Sequence, residues 1–131
     1  MATASQLVTG VDFLAVPTRD LERAVQFYGD TLGLRRSVYM PERGFAEFET
    51  GNLTISLYSP EQMGLEFRPN ANATALQVDD VAQARAELEG RGVEFQGDVL
   101  DTGVCHMGFF NDAEGNAWML HHRYAPRATE G

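Results

Sequence analysis

The chain has 131 residues, 44% of them hydrophobic and 22% charged, and its 19 acidic against 10 basic residues give a net charge of −9. That length suits one domain and is too short for two independent cores. The charge excludes the clustered basic surface that nucleic acid needs, no apolar run approaches the roughly 20 residues that cross a bilayer, and the single Cys105 allows no internal disulfide.

The opening stretch MATASQLVTG lacks the basic-then-apolar order of a secretory signal, so a cytoplasmic protein is expected. Val11 to Val16 is a short apolar run that suits a strand. Thr18 or Asp20 can cap the helix that follows, in which Leu21, Ala24, Val25, Tyr28 and Leu32 fall at helical spacing and Gly33 is the stop. RRSVYM, GFAEFE and LTISLY read as three strands, with turns at PERG and TGN. SPEQMGLEFRPNAN is turn-rich and reads as a linker or lid. A second series then repeats the first: a strand at Ala73–Val78, a helix at about Val81–Arg91, and strands near Val93–Phe95, Val104–Phe110 and Ala117–His122.

The repeat is also visible in residue identities. Asp20, Leu21 and Ala24 answer Asp80, Val81 and Ala84 at an offset of 60, and each half ends in a Gly-Asn pair before an alternating run, GNLTISLY and GNAWMLHH. The expected class is α+β, with two βαβββ modules at about 8–59 and 72–124 in a single domain spanning 1–131.

RDLERAVQFYGDTLGL, VDDVAQARAELEGRGVEF and FFNDAEGNAWML, in this order and spacing, resemble the vicinal oxygen chelate superfamily, also called the glyoxalase/bleomycin resistance protein/dioxygenase superfamily. The resemblance covers about Val11 to Arg123. It implies modules whose strands form a curved mixed sheet around a cavity, and a homodimer in which modules pair between chains. It also implies, for the family's enzymes, one divalent metal held by side chains on the first and last strand of each module. Carried over, those positions are Phe13, Ala73, Met119 and Ser56, with Ile55 as the alternative to Ser56 under strict Gly-Asn register. Phenyl, methyl, thioether and hydroxyl groups do not make a site for a hard divalent ion. No metal and no cofactor are therefore expected.

Cys105, His106, His121 and His122 are the remaining soft donors, but neighbours on a strand point to opposite faces, so neither adjacent pair can chelate. Cys105 with His121 is the one pair open to a soft metal. Asp79 and Asp80 sit at a helix start, where capping explains them, and Arg35 and Arg36 straddle a strand. If the carried-over positions face the cavity, as the resemblance implies, strand alternation adds their row-mates, and the inward, ligand-binding row is Phe13, Ser56, Tyr58, Met107, Phe109, Met119 and His121, joined by Ala15, Ala73 and either Phe45 with Glu47 or Ala46 with Phe48. Such an aromatic, sulfur-rich lining suits burial and stacking of a flat or apolar small molecule.

Three functions compete. The first is a metal-free protein that binds or sequesters an aromatic or cationic metabolite or antibiotic. The second is a metal-independent isomerase, cyclase or lyase with His121 or Glu47 as acid–base. The third is a metal-dependent lyase or dioxygenase with relocated ligands.

Overall fold

Two aspartates start the two helices. Asp20 accepts from the backbone N–H of Arg23 at 3.1 Å, and Asp80 accepts from that of Gln83 at 3.0 Å. These are N-caps that satisfy otherwise orphaned donors in the first turn. Of the two expected cap candidates in the first module, Asp20 takes the role; Thr18 accepts from the Asp20 N–H. In the computed structural model, which describes residues 5–126, each helix belongs to a βαβββ module.

The first module runs β1 (Phe13–Pro17), α1 (Leu21–Gln26), β2 (Arg35–Met40), β3 (Phe45–Glu49) and β4 (Thr54–Tyr58). The second runs β5 (Thr74–Gln77), α2 (Val81–Gly90), β6 (Phe95–Asp101), β7 (Cys105–Asn111) and β8 (Ala117–Arg123). The strands form two four-stranded mixed sheets, ordered β1-β4-β3-β2 and β5-β8-β7-β6. In each, the first strand lies parallel to the last and the remaining pairings are antiparallel.

Two elements differ from the sequence expectation. α1 widens after Gln26 into a π-helical turn, Phe27–Thr31, closed by the Leu32 N–H on the Phe27 carbonyl at 2.9 Å. A wide turn keeps Phe27 and Tyr28 against the partner module, and Gly29 lets the backbone approach Phe48, whose ring would stand 3.3 Å from an added Cβ. The strand expected at Val93–Phe95 instead begins at Phe95 and runs to Asp101, with a register shift between Gln96 and Leu100. Gly97, at φ +68°, lies inside that irregularity and interrupts the alternation that marks a strand in sequence.

Both modules bury their helix-bearing faces in one core. Val16, Phe48, Ile55 and Leu57 come from the first sheet, Phe110, Trp118 and Leu120 from the second, and Ala24, Tyr28, Val81 and Leu88 from the helices. Tyr28 packs on both Phe48 and Trp118, with ring centroids 6.1 and 5.9 Å away.

The turn between β7 and β8 locks the modules together. Asp112 accepts from the Tyr28 hydroxyl at 2.6 Å, from the Asn116 side chain at 2.8 Å, and from the backbone N–H groups of Glu114 and Asn116, both at 2.9 Å. Asn116 also donates to the Pro17 carbonyl at 3.0 Å, and Glu114 accepts from the Thr18 hydroxyl and from the Arg19 N–H. The stretch NDAEGN is thus both a tight turn and a polar clamp across the core. No helix among the described residues is long and apolar enough to cross a membrane.

Candidate functional site

Strand parity decides which side chains are free to meet a ligand. Ala46, Phe48, Ile55 and Leu57 are core residues with 0–1% exposure. Their neighbours Phe45, Glu47, Ser56 and Tyr58 therefore occupy the opposite face of the first sheet. This resolves two open choices: the third strand offers Phe45 and Glu47, and β4 offers Ser56 in place of Ile55.

On that face the rows run across the sheet: Phe13, Thr54 and Glu49; then Ala15, Ser56 and Glu47; then Pro17, Tyr58 and Phe45. Phe13 is 52% exposed, whereas Ser56, in the middle of the sheet, is buried. The second sheet buries Trp118 and Leu120 and so turns Met119 and His121 to its other face. Met119 lies between Ala75 and Phe109, and His121 between Gln77 and Met107.

The four second-module residues thus form two cross-strand pairs, Met119 with Phe109 and His121 with Met107. Phe13, Ser56 and Tyr58 form a separate group on the first sheet. Because both sheets direct their helix-bearing faces into the shared core, these two groups lie on different outward faces of the chain. Ala73 precedes β5 by one residue and shares the parity of Ala75 and Gln77.

The two adjacent histidines differ as strand alternation demands. His122 is on the helix side, with Nδ1 3.1 Å from the Val78 carbonyl. Among the described residues, the His121 ring has no hydrogen-bond partner. Cys105 is buried, and its Sγ lies 3.1 Å from the Thr102 hydroxyl. The four positions at which the family's enzymes hold a metal carry Phe13, Ser56, Ala73 and Met119, one hydroxyl and one thioether in all. That donor set does not fit a hard divalent ion. Cys105 and His121 share a face, and no third His, Cys, Asp or Glu completes a cluster with them among the described residues.

One polar corner of the first face was not singled out from sequence. Glu49 accepts from the Ser37 and Thr54 hydroxyls, at 2.5 and 2.6 Å. These two bonds, with Arg35 nearby, hold its carboxyl below the usual range. Its parity with Glu47 was the available signal; the β2 irregularity at Ser37 that completes the contact has none.

The sequence model of the Glyoxalase/Bleomycin resistance protein/Dioxygenase superfamily matches residues 10–120. No curated protein matches by sequence. Among solved structures, the chain is similar to a glyoxalase/bleomycin resistance protein/dioxygenase from Nocardioides at 24% identity and a TM-score of 0.77, covering 98% of this chain and 93% of that one. It is similar to an antibiotic binding protein from a Streptomyces species at 23% identity and a TM-score of 0.76, covering 91% and 99%. It is also similar to a lactoylglutathione lyase from Agrobacterium tumefaciens at 17% identity and a TM-score of 0.75, covering 87% and 93%. At these identities the likeness is one of fold.

Proposed function

The chain belongs to the glyoxalase/bleomycin resistance protein/dioxygenase superfamily, and on that premise we propose that it is a metal-free small-molecule binding protein which sequesters an aromatic or cationic metabolite or antibiotic. The observation that carries this reading is the replacement of the metal positions by Phe13, Ser56, Ala73 and Met119, on sheet faces that otherwise offer Tyr58, Met107 and Phe109. Such faces bind by burial and stacking, and Met adapts to irregular shapes. One similar structure is named as an antibiotic binding protein, which supports the same direction.

The proposed working form is a homodimer, in which the first sheet of one chain faces the second sheet of its partner. Two-fold pairing is the commonest oligomer, and it would bring the Phe13 group and the Met119 group to one cavity from two chains. The 52% exposure of Phe13 is consistent with a face that a partner or a ligand covers. The proposed setting is the cytoplasm, where a lone cysteine such as Cys105 stays reduced. A metal-independent isomerase, cyclase or lyase is the second reading; His121 favours it, as an imidazole with no hydrogen-bond partner among the described residues on the same face as Met119.

The test is incubation of the purified chain with natural-product extracts, followed by native mass spectrometry and analysis of the released compound. Binding predicts a dimer carrying an organic molecule whose mass equals that of the compound supplied. A released compound of altered mass or altered retention would transfer the proposal to the enzyme reading. Once a ligand is found, His121→Ala should weaken binding by about 1–3 kcal/mol, the cost of leaving a buried polar partner unsatisfied, and His122→Ala should not.

A further inference from the structure

A cleft of about 430 Å³ opens between the modules on their helix-bearing side, away from the faces that carry Met119 and Ser56. Its depths are formed by Ile55, Trp118 and Leu120, all nearly inaccessible, and its walls by the partly covered Leu14, Leu76 and Leu88-bearing surfaces of β1, β5 and α2. The Trp118 N–H points elsewhere, donating to the Tyr28 hydroxyl at 3.0 Å. The indole lies just beneath the floor, and the accessible apolar lining is the partly exposed Leu14, Leu32, Leu34 and Leu76.

Polar groups gather at the mouth, where Asn52, Gln77, Glu87 and Arg91 are exposed. Arg91 is held in place by Nη1, which donates to the Thr31 carbonyl at 2.8 Å. Its Nη2 lies 3.8 Å from Glu87, too far for a direct hydrogen bond. That ion pair is long and exposed, so an incoming carboxylate can take the place of Glu87 on the guanidinium. A leucine-lined cleft with an anchored arginine at its rim, only loosely paired with Glu87, is complementary to a molecule with a hydrocarbon body and one acidic end.

We propose that this inter-module cleft, whose volume of about 430 Å³ lies within the usual range of ligand pockets, is a second small-molecule site that takes a medium-chain aliphatic carboxylate. The chain lies against the partly exposed Leu14, Leu32, Leu34 and Leu76, above the buried Trp118, and Arg91 binds the carboxylate. The site shares with the sheet faces only the edge strand β5, through Ala75 and Gln77, and uses none of Phe13, Ser56, Tyr58, Met107, Phe109, Met119 or His121, so it stands independently of the sequestering function.

The experiment titrates the full chain with octanoate, octanol and octylammonium, read by calorimetry and by the emission of Trp118, the only tryptophan. Octanoate should bind saturably, change Trp118 emission, and outcompete octylammonium. Ala84→Phe, which fills the cleft from α2, should abolish binding. Arg91→Gln, whose fold is checked by circular dichroism because it also loses the bond to Thr31, should weaken octanoate about tenfold and leave octanol unchanged. If Ala84→Phe fails to fold, the Arg91→Gln contrast between octanoate and octanol decides. Absence of saturable binding, equal weakening of octanoate and octanol by Arg91→Gln, or binding that survives Ala84→Phe and is lost in Met119→Arg would overturn the proposal.

Discussion

Replacing Tyr28 by Phe removes one oxygen from the place where the modules meet. The hydroxyl is fully buried, donates to Asp112 at 2.6 Å and accepts from Trp118 at 3.0 Å. Losing a hydrogen bond to an ionised carboxylate costs about 1.5–3 kcal/mol, and orphaning a buried indole N–H costs about 1–3 kcal/mol. The two losses share one atom and overlap, so the expected net cost is about 2–4 kcal/mol. Asp112 keeps three other donors, which prevents a larger loss from an abandoned charge. Urea unfolding followed by far-UV circular dichroism measures this without relying on Trp118, whose surroundings the substitution changes. The midpoint should fall with the slope unchanged. A loss below about 0.5 kcal/mol, the range of ordinary surface substitutions, would refute the clamp.

The same hydroxyl predicts a response to alkali. Burial first, and then the charge of Asp112, push its pKa well above the ordinary tyrosine value. The proton is held more tightly in the folded than in the unfolded chain. The contribution is therefore complete below the unfolded value of about 10 and is lost as pH rises beyond it. Wild type should lose stability above that pH, and Tyr28→Phe should lose less.

Asp80→Ala should cost about 1 kcal/mol in the same urea assay, the usual loss for a helix N-cap that bonds the first turn. The Gly103 N–H, followed by the Tyr124 hydroxyl, lowers the Asp101 pKa; its contribution is thus present above the unfolded value and lost as pH falls through the folded one, so the acid unfolding curves of Tyr124→Phe and wild type should converge at low pH. Affinity for a cationic aromatic ligand should fall with salt more steeply than for a neutral analogue if the net charge of −9 is focused on the sheet faces; equal salt dependence would mean that the charge is only a solvated surface.

The repeat made the architecture legible. Asp20 and Asp80 lie 60 residues apart, and both cap helices. Strand alternation placed Met119 with His121 and opposed His122 to them, because a period of two needs no tertiary information. The widened turn at Phe27–Thr31 was not legible, since its residues still fall at near-helical spacing and only packing on the second module selects the wider form. β6 was displaced because Gly97 and Asp98 erase the apolar alternation on which strand recognition depends. Nor could sequence show that the Phe13 and Met119 groups occupy separate outward faces: parity assigns a residue to a side of its own sheet and says nothing of how two sheets are arranged. The cleft beside Trp118 was hidden for a related reason, since its apolar lining is indistinguishable in sequence from filled core.

The most direct test of a metal-free binding protein is elemental analysis of untagged protein purified without chelator, combined with dialysis against Fe, Mn, Ni and Zn. Phe13, Ser56, Ala73 and Met119 supply no adequate donor set, so the expected result is no stoichiometric transition metal before or after dialysis. Close to one equivalent of any of these metals, lost together with ligand binding or activity in Cys105→Ala or His121→Ala, would contradict the account and point to a site built from relocated ligands.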